Sequence, residues 1–301
     1  MKTVLLFFLF SASFSSFSQN YTSYLSGSST DAEVSALGGI CLMGGASEHD
    51  EAMKWFLQQS NGGDILVLRA TGSNGYNNYM YSQLGVSVNS VETIVCHNAQ
   101  AAYESYVQDR IKKAEAIWFA GGDQWTYITY WRNTPVDSLI NKGLAERNLV
   151  IGGTSAGMAI QGAYCFSAQN GTVTSPTALS NPFVNSVTVS NEPFIINPQL
   201  ANVITDTHYD NPDRKGRHVV FLSRILNDFG VQGKGIACDE YTAVCIPPNG
   251  ICKIYGEYPL YDENVYFIQP NCDLAEISPE TLLANTPLTR NRNGQALQVY
   301  H

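Results

Sequence analysis

Asn148-Leu-Val-Ile-Gly-Gly-Thr-Ser-Ala-Gly-Met-Ala-Ile160 joins two apolar runs through a cluster of small residues. Leu149 to Ile151 reads as a buried strand, Gly152 to Gly157 as a sharp turn, and Met158 to Ile160 as the start of a buried helix. Within it, Gly153-Thr-Ser-Ala-Gly157 fits G-x-S-x-G, the strand–turn–helix pattern that lifts a serine hydroxyl above a sheet edge. The small neighbours follow from the tightness of the turn, where a Cβ beside the serine would meet strand or helix. The amide of Ala156 would stand at the helix N-terminus, open to a developing oxyanion.

Upstream, the chain repeats a strand–helix rhythm. Leu37 to Gly45 is a strand ending in a glycine pair, and Asp50 to Gln59 is a helix with Met53, Trp55, Phe56 and Leu57 on a broad apolar face. Further strands are expected at Ile65–Leu68, Val91–Cys96 and Ala116–Ala120, with helices over Ala99–Ala114 and from Thr134-Pro135 through Leu144. Short apolar strands alternating with helices predict an α/β fold with a mostly parallel sheet sandwiched by helices. Glycine-rich turns end three of the strands, at Gly44-Gly45, Gly121-Gly122 and Gly152-Gly153. Sites in such sheets form at the carboxyl ends of strands, so these turns are expected to crowd around one pocket. Tyr21 to Ala36 reads as a loosely packed lead-in, and Ser167 to Asn197 as loops with short strands. Downstream lie a helix over His218–Phe229, a strand from Gly235 running into Asp239-Glu240, and an antiparallel extension at Ala243–Pro248 and Ile251–Tyr258.

The composition bounds the function. With 17 basic and 26 acidic residues the net charge is −9, which argues against nucleic-acid and anionic-membrane partners. Met1-Lys2, the apolar run Val4–Phe10 and Ser16-Phe-Ser18 read as a secretory signal peptide cleaved near Ser18, which predicts a secreted or periplasmic protein. The apolar run is far shorter than the ~20 residues of a spanning helix. No linker or repeat is visible, so residues 19–301 are expected to form one domain. Of the 7 cysteines, Cys41, Cys96 and Cys238 sit in apolar runs and read as small core residues, while Cys245, Cys252 and Cys272 could include one disulfide. No C-x-x-C is present, and neither metal nor cofactor is called for.

A serine nucleophile needs a base, and the base an orienting acid. The 5 histidines are His49, His97, His208, His218 and His301. His208 is favoured because it lies just past a strand, beside Asp206 and upstream of two arginines; His97 is the second candidate, and His218 falls on a solvated or half-buried helix. For the acid, Asp239 and Glu240 end an apolar strand, with Asp206 as the local alternative. An order of Ser155, His208, Glu240 differs from the serine–acid–histidine order of α/β-hydrolases.

Five stretches, in order over residues 38 to 246, resemble the cyanophycinase branch of the cyanophycinase/dipeptidase E serine peptidases. They are Met43-Gly-Gly-Ala, Phe119-Ala-Gly-Gly-Asp-Gln124, Gly152-Gly-Thr-Ser-Ala-Gly157, Asp206-Thr-His-Tyr209 with Arg214-x-Gly-Arg217, and Gly235-Ile-x-x-Asp-Glu-x-Thr-Ala243. The resemblance implies a class I glutamine-amidotransferase-like (flavodoxin-like) sandwich with serine at the elbow. It implies Ser155 as nucleophile, His208 as base and Glu240 as orienting acid. The amides near Gly122, Asp123 and Ala156 would form the oxyanion hole, and Gln124, Asp206, Arg214 and Arg217 match substrate-pocket positions. The family hydrolyses cyanophycin, poly-aspartate bearing arginine on each side-chain carboxyl, to β-aspartyl-arginine dipeptides, and is often dimeric. A peptide or polymer substrate and a homodimer are therefore expected. Guanidinium groups suit carboxylate recognition through paired donors. The chain departs from the family at Pro212, where a further arginine is usual, and at Tyr209, where phenylalanine is.

Overall fold

The computed structural model describes residues 19–301; the expected leader, 1–18, lies outside them. In chain order the elements are β1 (Tyr21–Gly27), β2 (Gly39–Met43), α1 (Asp50–Gln59), β3 (Asp64–Arg69), α2 (Gly75–Asn78), β4 (Ser90–Cys96), α3 (Ser105–Lys113), β5 (Ala116–Phe119), α4 (Gln124–Trp131), α5 (Pro135–Glu146), β6 (Val150–Thr154) and α6 (Ala156–Ala159). They continue with β7 (Cys165–Phe166), α7 (Ser175–Ser180), β8 (Val189–Ser190), β9 (Val203–Asp206), α8 (Lys215–Phe229), β10 (Lys234–Cys238), β11 (Ala243–Ile246), β12 (Lys253–Tyr255), β13 (Val265–Pro270) and β14 (Leu297–Tyr300).

The main sheet has eight strands in the order β1-β4-β3-β5-β6-β2-β11-β12. Its five central strands run parallel, as the strand–helix alternation requires, and its edges are antiparallel. The pleat sorts the core. Ile117 and Phe119 of β5 join Ile40 and Leu42 of β2 against α3, α4 and α5, while Ala116 and Trp118 join Cys41 and Met43 against α1. A second, four-stranded sheet, β14-β13-β10-β9, carries a separate cluster under α8. This is the helix-sandwiched, mostly parallel arrangement expected of a glutamine-amidotransferase-like fold. Among the described residues no helix is long and apolar enough to cross a membrane.

Three expectations change. The lead-in is not loose: Tyr21–Gly27 is edge strand β1, paired residue for residue with β4 from Tyr21↔Cys96 to Gly27↔Ser90. The helix expected over Ala99–Ala114 is a 3-10 turn, Ala99–Tyr103, followed by α3, because Glu104 adopts an extended backbone between them. A further helix, α4, starts at Asp123, whose carboxylate accepts from the Trp125 and Thr126 amides.

His218 is also placed differently from its expected half-solvated position. On α8 it is fully buried, edge-on to Tyr209, with both ring nitrogens unpartnered. Burial pushes its imidazole down to about 4, from an ordinary 6.5. Folding therefore favours the neutral ring, so stability falls as pH drops below about 6.5 and continues falling to about 4. Asp239, raised to about 6 by burial, carries the opposite slope. The comparison with His218→Leu isolates the histidine: urea midpoints taken from pH 7 to pH 4 are expected to fall less in the variant. An unchanged slope would count against a neutral buried His218.

Candidate active site

Ser155 occupies the bend between β6 and α6 with φ +52° and ψ −119°, a conformation that side-chain-bearing residues rarely adopt. Neighbouring backbone holds it there. Its amide donates to Met43 O at 3.1 Å, and the next turn opens with Met158 N and Ala159 N on Ser155 O. The turn closes so tightly that a Cβ on Gly157 would stand 2.1 Å from Phe119 O. Strand pairing thus supplies the rigid base, and the strained bend turns the hydroxyl out of it.

His208 reaches Ser155 from the second sheet. It follows β9 by two residues, in a left-handed turn (φ +46°) whose amide donates to Gly44 O at 2.9 Å. Its Nε2 lies 2.8 Å from Ser155 Oγ, and its Nδ1 lies 2.5 Å from Glu240 Oε1. A carboxylate oxygen only accepts, so Nδ1 carries the proton and Nε2 is left to accept from the serine hydroxyl. Glu240 is steadied in turn: its amide donates to Asp210 Oδ1 at 2.9 Å, and Asn211 Nδ2 donates to Oε2 at 3.4 Å. The His208 and Glu240 side chains are 22% and 17% exposed, shielded yet open on one side to a substrate. The three groups form a continuous proton relay of the serine–histidine–acid kind.

Gly45 presses against this relay. Its φ is +126°, and a Cβ there would lie 2.4 Å from His208 Cε1 and Nε2. Gly45→Ala is expected to push the imidazole off Ser155 and to slow phosphonylation of Ser155 by a serine-directed phosphonylating inhibitor about 100-fold, the scale of a ~1 Å misplacement. An unchanged labelling rate would contradict this contact.

Around the relay, Gly121 is the near neighbour, since a Cβ there would stand 3.7 Å from Ser155 Cβ. The Tyr127 hydroxyl lies 3.0 Å from both Ala120 O and Gly121 O and fixes the shape of this turn. Gly122 and Asp123 follow it, exposed, with the Asp123 carboxylate engaged as the α4 cap. The Ala156 amide begins α6, where no intrahelical acceptor is available to it. Gln124 donates through Nε2 to Phe166 O at 3.1 Å.

The two arginines and Asp206 part company. Asp206 and Arg217 are 3% and 2% exposed and bind each other: Nε donates to Oδ2 at 2.9 Å and Nη2 to Oδ1 at 2.5 Å. Nη1 goes to Thr172 Oγ1 and Val173 O. Burial alone would raise the Asp206 carboxyl, but the Arg217 guanidinium beside it, aided by its hydrogen bonds, holds it below its ordinary value. Their expected place in the substrate pocket is corrected: the donors of Arg217 are consumed inside the protein, and the pair anchors the turn that carries His208. Arg214 differs. It is partly exposed, spends one bond on Thr207 O at 3.1 Å, and keeps Nε without a partner. Burial, then the neighbouring Arg217 charge, lower its affinity for its proton, while Asp206 and Glu240 oppose this.

The other candidates lie elsewhere. His97 pairs with Thr22 of β1 at 2.8 Å, and Asp239 is buried, with Oδ2 accepting from Asn264 N. Among the described residues no group of histidine, cysteine and carboxylate side chains could hold a metal ion.

Known proteins share this architecture. The crystal structure of a peptidase from an acI-B1 Actinobacterium superposes with a TM-score of 0.54, covering 76% of this chain and 94% of that one at 16% identity, a likeness of fold. Cyanophycinases from Synechococcus elongatus and Trichormus variabilis are 24% identical over 171 residues and 23% identical over 210. These matches cover 57% and 70% of this chain, but only 48% and 62% of the relatives' own lengths. Residues 42–250 match peptidase family S51 and take in Ser155, His208 and Glu240; the chain belongs to that family.

Proposed function

We propose that this chain is a serine peptidase that cleaves an aspartyl-peptide polymer of the cyanophycin type, releasing β-aspartyl-arginine dipeptides from a chain end, and that it does so as an exported enzyme. The unbroken relay from Glu240 through His208 to Ser155 carries this reading. Ser155 Oγ attacks the scissile carbonyl as His208 Nε2 takes its proton. The oxyanion that forms is met by the Ala156 amide and by amides of the Gly122–Asp123 turn. The imidazolium, stabilised by Glu240, returns its proton to the leaving amine, and water then repeats the cycle on the acyl-enzyme.

Arg214 supplies the recognition element: its half-buried guanidinium spends Nη1 on Thr207 O and lies close enough to Glu240 for the two charges to act on each other. A substrate carboxylate suits it. Gln124 retains its carbonyl oxygen for the same pocket.

A second reading, an S51 peptidase acting on other aspartyl or isoaspartyl peptides, is favoured by Pro212, which stands where the family's further arginine would be. Incubation of residues 19–301 with purified cyanophycin, with released product read by mass, separates the two. Dipeptide release supports the first reading. No release, together with covalent labelling of Ser155 by a serine-directed inhibitor, moves the assignment to the second.

A further inference from the structure

β2 and β11 run antiparallel, and Cys41 stands directly opposite Cys245. The bond from Gly44 N to Thr242 O, 3.0 Å, fixes the phase of the ladder. Bonded and non-bonded pairs alternate, so Leu42/Val244 is a bonded pair, whereas Met43/Ala243 and Cys41/Cys245 are non-bonded. Side chains approach most closely at non-bonded pairs, where Cα atoms lie about 4.5 Å apart, inside the range that a disulfide spans. Both thiols lie in the cluster under α1, fully buried, with sulfur atoms 3.6 Å apart. The third thiol nearby, Cys238, is turned to Leu42 O at 3.8 Å.

We propose that Cys41 and Cys245 are a cross-strand dithiol that closes to a disulfide by exchange with a small-molecule or protein disulfide. One cysteine thiolate attacks a sulfur of the donor and expels a donor thiolate. The second cysteine, deprotonated, attacks the resulting mixed disulfide and expels the other. The two released thiolates take up the two protons, so the donor is reduced by two electrons and the pair oxidised by two. Burial raises the Cys245 thiol, which keeps the closed fold slow to react. Exchange therefore occurs during folding or when the β11–β12 hairpin opens; β12 is an edge strand of three residues. The bond would clamp β11 to β2, whose end holds the relay, since Met43 O binds the Ser155 amide and Gly44 O the His208 amide.

The test uses residues 19–301 carrying Cys252→Ser and Cys272→Ser, which removes the two exposed thiols. The protein is refolded with a mixture of reduced and oxidised glutathione, alkylated under denaturation, and peptide-mapped. A peptide pair linked through Cys41 and Cys245 is expected, with a melting temperature about 5 °C above that of the dithiothreitol-reduced protein. Alkyl groups on both Cys41 and Cys245 after oxidation would overturn the proposal. So would a melting difference that persists in Cys41→Ala.

Discussion

Ser155→Ala is expected to lower turnover by about four to six orders of magnitude while leaving the fold unchanged, the scale seen when the nucleophile of a serine relay is removed. The hydroxyl touches little besides His208, so its loss opens no cavity and removes no core contact. Glu240→Gln is expected to fall about 10⁴-fold, because a carboxamide can offer a donor to Nδ1 and stabilise the wrong tautomer. The two effects will not add: Ser155→Ala combined with His208→Ala should be no slower than either alone, since the relay acts as a unit. Ser155→Gly adds a stability readout. The residue sits at φ +52°, so glycine should relieve strain and raise stability by about 1 kcal/mol after its greater unfolded-state freedom is set against that gain. A Ser155→Ala protein with more than a hundredth of the parent turnover would remove Ser155 from the chemistry.

Much of this site was legible because its parts carry local signatures. Small residues around Ser155 announce a bend that larger ones could not enter, and the 1.9 Å at which a Cβ on Gly44 would meet Asp239 O shows the same constraint at the end of β2. Alternating apolar strands and helices imply the parallel order and, with it, the edge where the glycine turns after β2 and β5 meet the Ser155 bend; Gly152-Gly153, expected as a third turn, is paired inside β6. The misreadings share a different cause, which is partnership with residues distant in the chain. Tyr21–Gly27 has polar composition and no strand signal, yet β4 offers it a complete ladder and Ser23 finds Glu92 across it. Helix α4 was missed because Gln124–Trp131 is aromatic all along its length; its start is marked only by Asp123 as cap. His218 reads as a solvated or half-buried group, and Arg217, one residue before it, as a substrate-pocket position. Nothing nearby says that Asp206 and the α7 region close over them, and only the fold brings those partners together.

Arg217 is where the two ways of assigning the pocket give opposite results. Were it a substrate contact, Arg217→Met would raise KM and leave the melting temperature alone. The structure predicts the reverse. Asp206 and Arg217 are buried against each other, with Phe166 and Phe221 beside the guanidinium, so removing one partner strands the other charge in a dry environment. Breaking such a pair costs about 3–5 kcal/mol, far more than a surface ion pair contributes, which corresponds to a fall of about 10 °C in a chain of this size. The pH dependence follows from the carboxylate. In the parent, Asp206 is held below its ordinary value, so its contribution is present above about pH 4 and is lost as pH drops further. In Arg217→Met its pKa rises instead, the folded protein welcomes the proton, and stability is lost as pH increases. The gap between parent and variant should therefore be widest near neutrality and should narrow on acidification. Combining Arg217→Met with Asp206→Leu should recover part of the loss, because a buried apolar pair of similar volume carries no desolvation penalty. Catalysis would change only secondarily, through the turn that Asp206 shares with His208, and kcat rather than KM should register it. A stable Arg217→Met with a raised KM and no pH-dependent gap would restore Arg217 to the substrate pocket.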